Sequence, residues 1–174
     1  MLILFPTQLE AEPFVRLCPD ASVVISGVGM AATAATLASL YASGRLQEAE
    51  CVVLAGIAGT YTDTLAPGQV VEVVQESAVE LPERFRVVYH NEPRCTSLRA
   101  VSSYTVHTGS AEYRGAELEN MEGAAFFALC NSFGVRCMEL RAVSNRVGES
   151  FESWRVKEAT EALATELLKL KNKE

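Results

Sequence analysis

Short apolar runs alternate with longer stretches of helical periodicity along the chain, and the runs end on turn residues. Residues 1–5, 22–26 and 51–55 are nearly continuous apolar runs closed by Pro6, Gly27 and Gly56, the pattern of strands covered on both faces. Between the second and third, residues 30–43 are Ala-rich, lack Gly and Pro, and are followed by Gly44 in the position a helix C-terminus favours. These pieces predict a βαβ unit. Further on, 69–75 and 84–91 predict strands, and 99–107 alternates apolar with polar residues as a half-exposed strand does. Residues 121–133 predict a buried helix, with Gly123, Ala124, Ala125 and Ala128 for close packing and Gly134 as its stop. Residues 136–143 predict a strand. Val156, Ala159, Leu163, Leu167 and Leu170 recur at helical spacing and predict an amphipathic helix over 155–171. The expectation is α/β: a single domain, residues 1–174, with a mixed, mainly parallel central sheet flanked by helices.

Composition narrows the class. With 174 residues, 49% of them hydrophobic and 21% charged, the chain can bury one sizeable core, which excludes disorder. Fifteen Lys and Arg against 22 Asp and Glu leave a net charge of -7, which repels a phosphate backbone, and no basic stripe is present; nucleic acid is excluded as a partner. The longest apolar stretch, around 30–41, is too short to span a bilayer, and no basic region precedes the apolar N-terminus, so no membrane association is expected and a cytoplasmic location is. The 5 cysteines form no CxxC pair and three sit in apolar runs, as reduced structural thiols do. The 2 histidines have no metal-ligand spacing, so no metal is expected.

Four segments could carry chemistry. Gly27-Val28-Gly29-Met30-Ala31-Ala32 follows a strand, opens a helix and fits GxGxxA. It suits a dinucleotide loop, a plain tight turn, or a loop that hydrogen-bonds an anionic or hydroxylated ligand. Asn120-Met121-Glu122-Gly123 puts a carboxylate in the first turn of an apolar helix; helix capping explains it, and so does a grip on a vicinal diol, since two carboxylate oxygens accept two hydroxyl protons. Arg141-Ala142-Val143-Ser144-Asn145 places polar groups at a strand end, where α/β sheets meet ligands. Glu10-Ala11-Glu12 follows the first strand, with Pro13 suited to the first turn of a short helix whose N-terminus the acids complement.

Together these pieces resemble the nucleoside phosphorylase and nucleoside hydrolase superfamily, along most of the chain. Glu10-Ala11-Glu12 is similar to the acidic segment of methylthioadenosine/adenosylhomocysteine nucleosidases, and Ser26-Gly27-Val28-Gly29 to their SGxG loop. Ala55-Gly56-Ile57-Ala58-Gly59 resembles their GSAG segment with Ile57 for Ser, and the stretch from Leu65 to Val71 resembles the entry to their next strand. Met121-Glu122-Gly123-Ala124-Ala125 resembles the MExAA ribose-binding motif, and Arg141-Ala142-Val143-Ser144 the RAIS motif. MEGAAFF and RAVSN are most similar to futalosine hydrolases, which release hypoxanthine from futalosine in an alternative menaquinone pathway. The chain is shortened around 77–97 relative to that pattern.

The resemblance implies a three-layer nucleoside phosphorylase-like fold, a small-molecule purine nucleoside as partner, a homo-oligomer and no cofactor. It makes Glu12 the base that activates water and Asn145 the reader and stabiliser of a 6-oxopurine, where adenine-releasing relatives carry Asp. Met121 and Glu122 would hold the ribose, with Gly29, Ile57, Ala58 and Ser144 lining the substrate site and Arg141 bracing a carboxylate. Glu112, in Gly109-Ser110-Ala111-Glu112, would accept the N1-H of the base, and Tyr113 beside it would stack on the base or cover the core. Phosphorolysis of inosine-type nucleosides is the nearest alternative, with Arg45, Arg84, Arg86 and Arg94 as anion partners. Adenine release and non-catalytic binding of a purine riboside are the others.

Overall fold

In the computed structural model, which describes residues 1–95 and 97–172, the chain winds around one sheet. Residues 173 and 174 of the expected domain, and residue 96 of the expected shortened stretch, lie outside the described residues. The strands are β1 (Leu2–Phe5), β2 (Val23–Ile25), β3 (Val52–Thr60), β4 (Val70–Ala78), β5 (Tyr89–His90), β6 (Arg99–Thr105), β7 (Leu118–Asn120) and β8 (Cys137–Arg146). The helices are α1 (Gln8–Leu17), α2 (Met30–Ala42), α3 (Arg45–Glu48), α4 (Gly123–Phe133) and α5 (Val156–Lys171).

The sheet is mixed and mainly parallel with helices on both faces, as the alternating pattern predicts. β3 pairs in parallel with β1 and β8, and β4 and β7 pair in parallel with β6, while β4 meets β8 and β3 meets β7 antiparallel. The order β3-β8-β4-β6-β7 therefore returns to β3, and the middle of the sheet closes into a ring. Sequence periodicity does not carry that closure, which depends on β3 having three neighbours. Strand alternation distributes the core: Leu2, Leu4, Val52 and Leu54 face α2 and α4, whereas Ile3, Phe5, Val53 and Ala55 face α1 and α5.

Several expected boundaries shift. α1 begins at Gln8, capped by Thr7, so Pro13 stands inside the helix instead of in its first turn. The strand expected over 84–91 is a 3-10 turn (Glu83–Phe85) followed by the two residues of β5 on the sheet edge. Among its described residues the connection from β4 to the parallel β6 thus contains no α-helix, although such crossovers usually use one. β8 runs past residue 143 and carries Ser144 and Asn145 within it. Beside them the β3–β8 register slips by one residue, Ala58 facing Val143 and Gly59 facing Asn145, so Ser144 is the extra residue of a bulge. A bulge of this kind re-aims side chains, here into the opening at the end of β3.

Candidate active site

A cavity of about 570 Å³ opens where β3, β7 and β8 end, roofed by the start of α1 and the turn before α5. Its volume suits a small organic ligand. Four carboxyls line it, Glu10, Glu119, Glu122 and Glu149, together with Asn120, Met121, Ser144, Asn145 and apolar surface from Ile57, Ala58, Val106, Phe151 and Trp154. No lysine, arginine or histidine is among these lining residues.

Glu10 projects into the cavity from the first turn of α1. Thr7 Oγ1 accepts from the Glu10 N–H (3.2 Å) and donates to Glu10 Oε2 (2.6 Å), while the Ile57 N–H donates to Oε1 (3.0 Å). Burial pushes the Glu10 carboxyl above its ordinary range, with the Thr7 and Ile57 hydrogen bonds and the charge of Arg141 pulling the other way. Glu12, the expected base, is exposed and outside the cavity. Two residues along a helix turn a side chain by about 200°, so Glu10 and Glu12 cannot share a face. The signal for Glu10 was in the sequence: Thr7 followed by Glu10 is the spacing of a capping box, which starts the helix at Gln8 and turns Glu10, Ala11 and Phe14 inward.

Glu122 is buried at the head of α4. Its Oε1 accepts from the Gly29 N–H (2.9 Å) and its Oε2 from Arg141 Nη2 (3.1 Å). Each oxygen accepts one of these bonds and keeps a second lone pair, and Glu122 lines the cavity, so the carboxylate has the capacity to accept a pair of hydroxyls. Gly29 has φ +89°, a conformation side-chain-bearing residues rarely adopt, which lets its N–H aim across at Glu122. The GxGxxA loop thus presents the Gly29 N–H to the protein's own carboxylate, which stands where an anionic ligand would have to approach that donor. Asn120 Oδ1 accepts from the backbone N–H groups of Glu122 (2.8 Å) and Gly123 (2.7 Å), so capping and carboxylate placement are one arrangement.

Arg141 is fully buried behind the cavity. It donates from Nε to Glu139 Oε1 (2.8 Å), and from Nη2 to Asn120 Oδ1 (3.0 Å) and Glu122 Oε2 (3.1 Å). Gly56 makes room for it, since a Cβ there would lie 2.5 Å from Arg141 Nη1 and 3.0 Å from Glu10 Oε1. Asn145 lies at the other end of the cavity, its Oδ1 accepting from Ser144 Oγ (2.7 Å) and its Nδ2 donating to Arg146 O (3.0 Å). One Nδ2 hydrogen is left for a ligand.

Glu112, the expected base reader, is exposed on the loop after β6, outside the cavity. Tyr113 next to it meets Tyr104 edge-on at 6.5 Å instead of lining the cavity. The carboxyl beside Asn145 is Glu119, on β7. Tyr61 Oη donates to Glu119 Oε2 (2.6 Å), and the Cβ that Gly59 lacks would lie 3.2 Å from Asn145 Nδ2 and 3.4 Å from Glu119 Cγ. Burial holds the Glu119 carboxyl above its ordinary range, offset in part by the Tyr61 hydroxyl. Nothing in the periodicity marked Glu119, because β7 has only three residues and two of them are polar.

The cationic side chains considered for an anion seat lie elsewhere. Arg86 Nη2 donates to Val79 O and Leu81 O, Arg94 Nε to Cys137 O, Arg84 stacks 4.7 Å from the Phe85 ring, and Arg45 borders a separate shallow hollow beside β2. Among the described residues no group of His, Cys, Asp and Glu is arranged to hold a metal ion, and no helix is long and apolar enough to cross a membrane.

Known proteins place this arrangement. A family profile described as Phosphorylase superfamily matches residues 95–171. The futalosine hydrolase of Thermus thermophilus is 33% identical over 214 aligned positions, covering 97% of this chain and 94% of that protein. The alignment is longer than the chain, so the relative carries segments that this chain lacks. Among solved structures, a futalosine hydrolase mutant of Helicobacter pylori superposes with a TM-score of 0.83 at 16% identity, covering 99% and 98% of the two chains. A Helicobacter pylori 5'-methylthioadenosine/S-adenosylhomocysteine nucleosidase, solved with butyl-thio-DADMe-Immucillin-A, gives 0.83 at 15%, covering 99% and 97%. The mixed central sheet flanked by helices is the fold of these nucleosidases, within the phosphorylase superfamily. Within that superfamily the chain belongs to the family of futalosine hydrolase, a family of N-glycosyl hydrolases.

Proposed function

We propose that the protein hydrolyses the N-glycosidic bond of a 6-oxopurine riboside, with futalosine as substrate and hypoxanthine as the released base, a step of menaquinone biosynthesis. The observation that carries hydrolysis over phosphorolysis is the lining of the cavity: four carboxyls and no cationic side chain repel phosphate and suit a neutral nucleophile. Glu122 accepts the ribose hydroxyls, and its charge favours the positive charge that develops on the sugar as the bond breaks. Glu10, raised by burial, takes a proton from the attacking water while the water oxygen bonds to the anomeric carbon. The electron pair of the breaking bond leaves on the base, which gains its proton from solvent at N7. The free Nδ2 hydrogen of Asn145 donates to N7 or O6 as that charge arrives, and Glu119 accepts the N1-H that Glu112 is too far out to reach.

Two substitutions test the base seat. Asn145→Asp is expected to shift the ratio of kcat/KM for 6-oxo against 6-amino purine ribosides by about tenfold or more towards the amino base, since unpaired polar groups are rejected strongly. Glu119→Gln is expected to lower kcat/KM for the 6-oxopurine riboside by about tenfold, the worth of one good hydrogen bond to a charged acceptor. Competition assays that follow free base by chromatography check both. The function itself is tested by mixing the protein with futalosine, inosine or methylthioadenosine, with and without phosphate. Phosphate-independent hypoxanthine from futalosine supports the reading, whereas phosphate-dependent release from inosine overturns it.

The rim of the cavity carries exposed apolar side chains, Leu9 (61%), Val28 (51%) and Phe151 (68%). Large apolar groups this open beside a site mark a surface that is covered in use, which supports a homo-oligomer in which a neighbouring copy closes the mouth. Cys51, Cys95, Cys130 and Cys137 are buried core positions, in keeping with a cytoplasmic protein of one domain.

A further inference from the structure

A second layer of acid lies behind the cavity. Glu76 on β4 and Glu139 on β8 are completely buried, and their carboxyls converge on the Cα of Gly123 at the start of α4. A Cβ there would lie 2.7 Å from Glu139 Oε2 and would overlap Glu76 Oε2, so only glycine leaves room for both. Glu76 Oε1 accepts from the Ser77 N–H (3.1 Å) and its Oε2 from Asn120 Nδ2 (2.7 Å). Glu139 Oε1 accepts from Arg141 Nε, but its Oε2 is sealed from solvent without a hydrogen-bond donor. A buried carboxylate oxygen without a donor costs about 1–3 kcal/mol or more, and two carboxylates facing each other do not both stay ionised. One proton answers both problems.

We propose that Glu76 and Glu139 hold one proton between them, and that the pair positions Glu122 through Asn120 and Arg141. Glu76 fixes which end of the Asn120 amide points at the head of α4, where Asn120 Oδ1 accepts from the Glu122 and Gly123 N–H groups and from Arg141. Glu139 fixes Arg141, which reaches Glu122 Oε2. The groups facing the pair are Arg141 and the Cys137 thiol from β8, Asn120 from β7, Glu122 at the head of α4, Ser103 and Thr105 from β6 and, beyond Arg141, Glu10 from α1. Arg141 alone among them is cationic, so with the pair fully ionised one guanidinium would face four carboxylates. Burial, reinforced by the neighbouring Glu139, pushes the Glu76 carboxyl up to about 8 against the pull of Asn120 and Arg141. The proton is thus held at neutral pH and lost just above it.

The kinetic consequence rests on the assignment of Glu122 to the sugar, and the spectroscopic one does not. An infrared titration of the protein is expected to show a protonated-carboxyl band at neutral pH that disappears as pH rises through about 8 and is missing from Glu76→Gln at neutral pH. The absence of any such band at neutral pH, or an equal band in Glu76→Gln, overturns the proposal. In steady-state hydrolysis, wild-type KM is expected to rise about tenfold between about pH 7 and 9 with a smaller change in kcat, as the extra charge pulls Arg141 from Glu122. Glu139→Gln, neutral at every pH, keeps a carbonyl for Arg141 Nε and can donate from its amide towards Glu76 Oε2, so it is expected to keep neutral-pH KM within about threefold and to lose that rise. The same rise in Glu139→Gln overturns the proposal. A wild type that releases no base refutes the nucleosidase reading while the infrared titration still decides the pair, and that titration needs no variant if Glu76→Gln fails to fold.

Stability gives a third readout. The folded chain holds a proton that an unfolded Glu releases near 4.5, so this group's contribution falls as pH rises from there towards about 8 and is level above. The Tm of wild type is expected to decline across that window more steeply than that of Glu76→Gln, and equal slopes count against the pair.

Discussion

Glu10→Gln is expected to lower kcat about a thousandfold, within the range that positioned general bases contribute, while KM changes by no more than about threefold. The substitution preserves shape. The Gln carbonyl can still accept from the Ile57 N–H, and its amide can donate to Thr7 Oγ1, which reverses its own role, so the head of α1 and the cavity wall stay in place. The missing property is the capacity to take a proton from water. The carboxyl is held above its ordinary range by burial, which makes its carboxylate a stronger base than that of an exposed glutamate. Turnover should therefore fall as pH drops through a point above 4.5, when Glu10 becomes protonated, and the acid limb should vanish from the residual activity of Glu10→Gln. Glu12→Gln serves as the matched comparison on the exposed face of the same helix, with turnover expected within about twofold of wild type. Equal losses in the two variants, or none in Glu10→Gln, would remove Glu10 from the chemistry.

The contrast between those two acids shows what a sequence can carry. The acidic segment after β1 was legible, yet choosing between residues two apart requires the helix start, and that is set by one hydroxyl, Thr7, capping Glu10. Glu122, Arg141, Ser144 and Asn145 were legible because each belongs to a local run whose polar members interrupt an apolar pattern. Glu119 was not, since it belongs to the site only because β7 joins β3 across a long stretch of chain and Gly59 leaves space beside Asn145. Glu112 is the reverse case: a local resemblance singled it out, and the loop after β6 carries it outside the cavity. Of the two acids of the inner layer, Glu139 stood inside the run expected over 136–143 and Glu76 one residue past the run expected over 69–75. What makes them a pair is the approach of both to Gly123, which no local pattern encodes.

Arg141 is where these layers meet, and removing it is the second large test. Arg141→Met keeps the volume of the stem but leaves Glu139 and Glu122 buried without their cation. Breaking a buried ion pair from one side typically costs about 3–5 kcal/mol. For a chain of this size each kcal/mol lowers Tm by roughly 2–4 °C, so a drop of roughly 6–20 °C is expected in a thermal melt. Activity should fall with it, because Glu122 loses the donor that aims one of its oxygens. Arg141→Lys should recover little: a single ammonium cannot serve Glu139, Asn120 and Glu122 from the positions of one rigid guanidinium fork. Adding Glu139→Met to Arg141→Met should restore part of the lost Tm, since removing both partners of a buried pair is often nearly neutral, yet it should restore no activity, because Glu122 remains unaimed. That separation of recovered stability from unrecovered turnover would locate the arginine's function in the placement of the sugar-binding carboxylate. A double variant that recovered both would place it in folding alone.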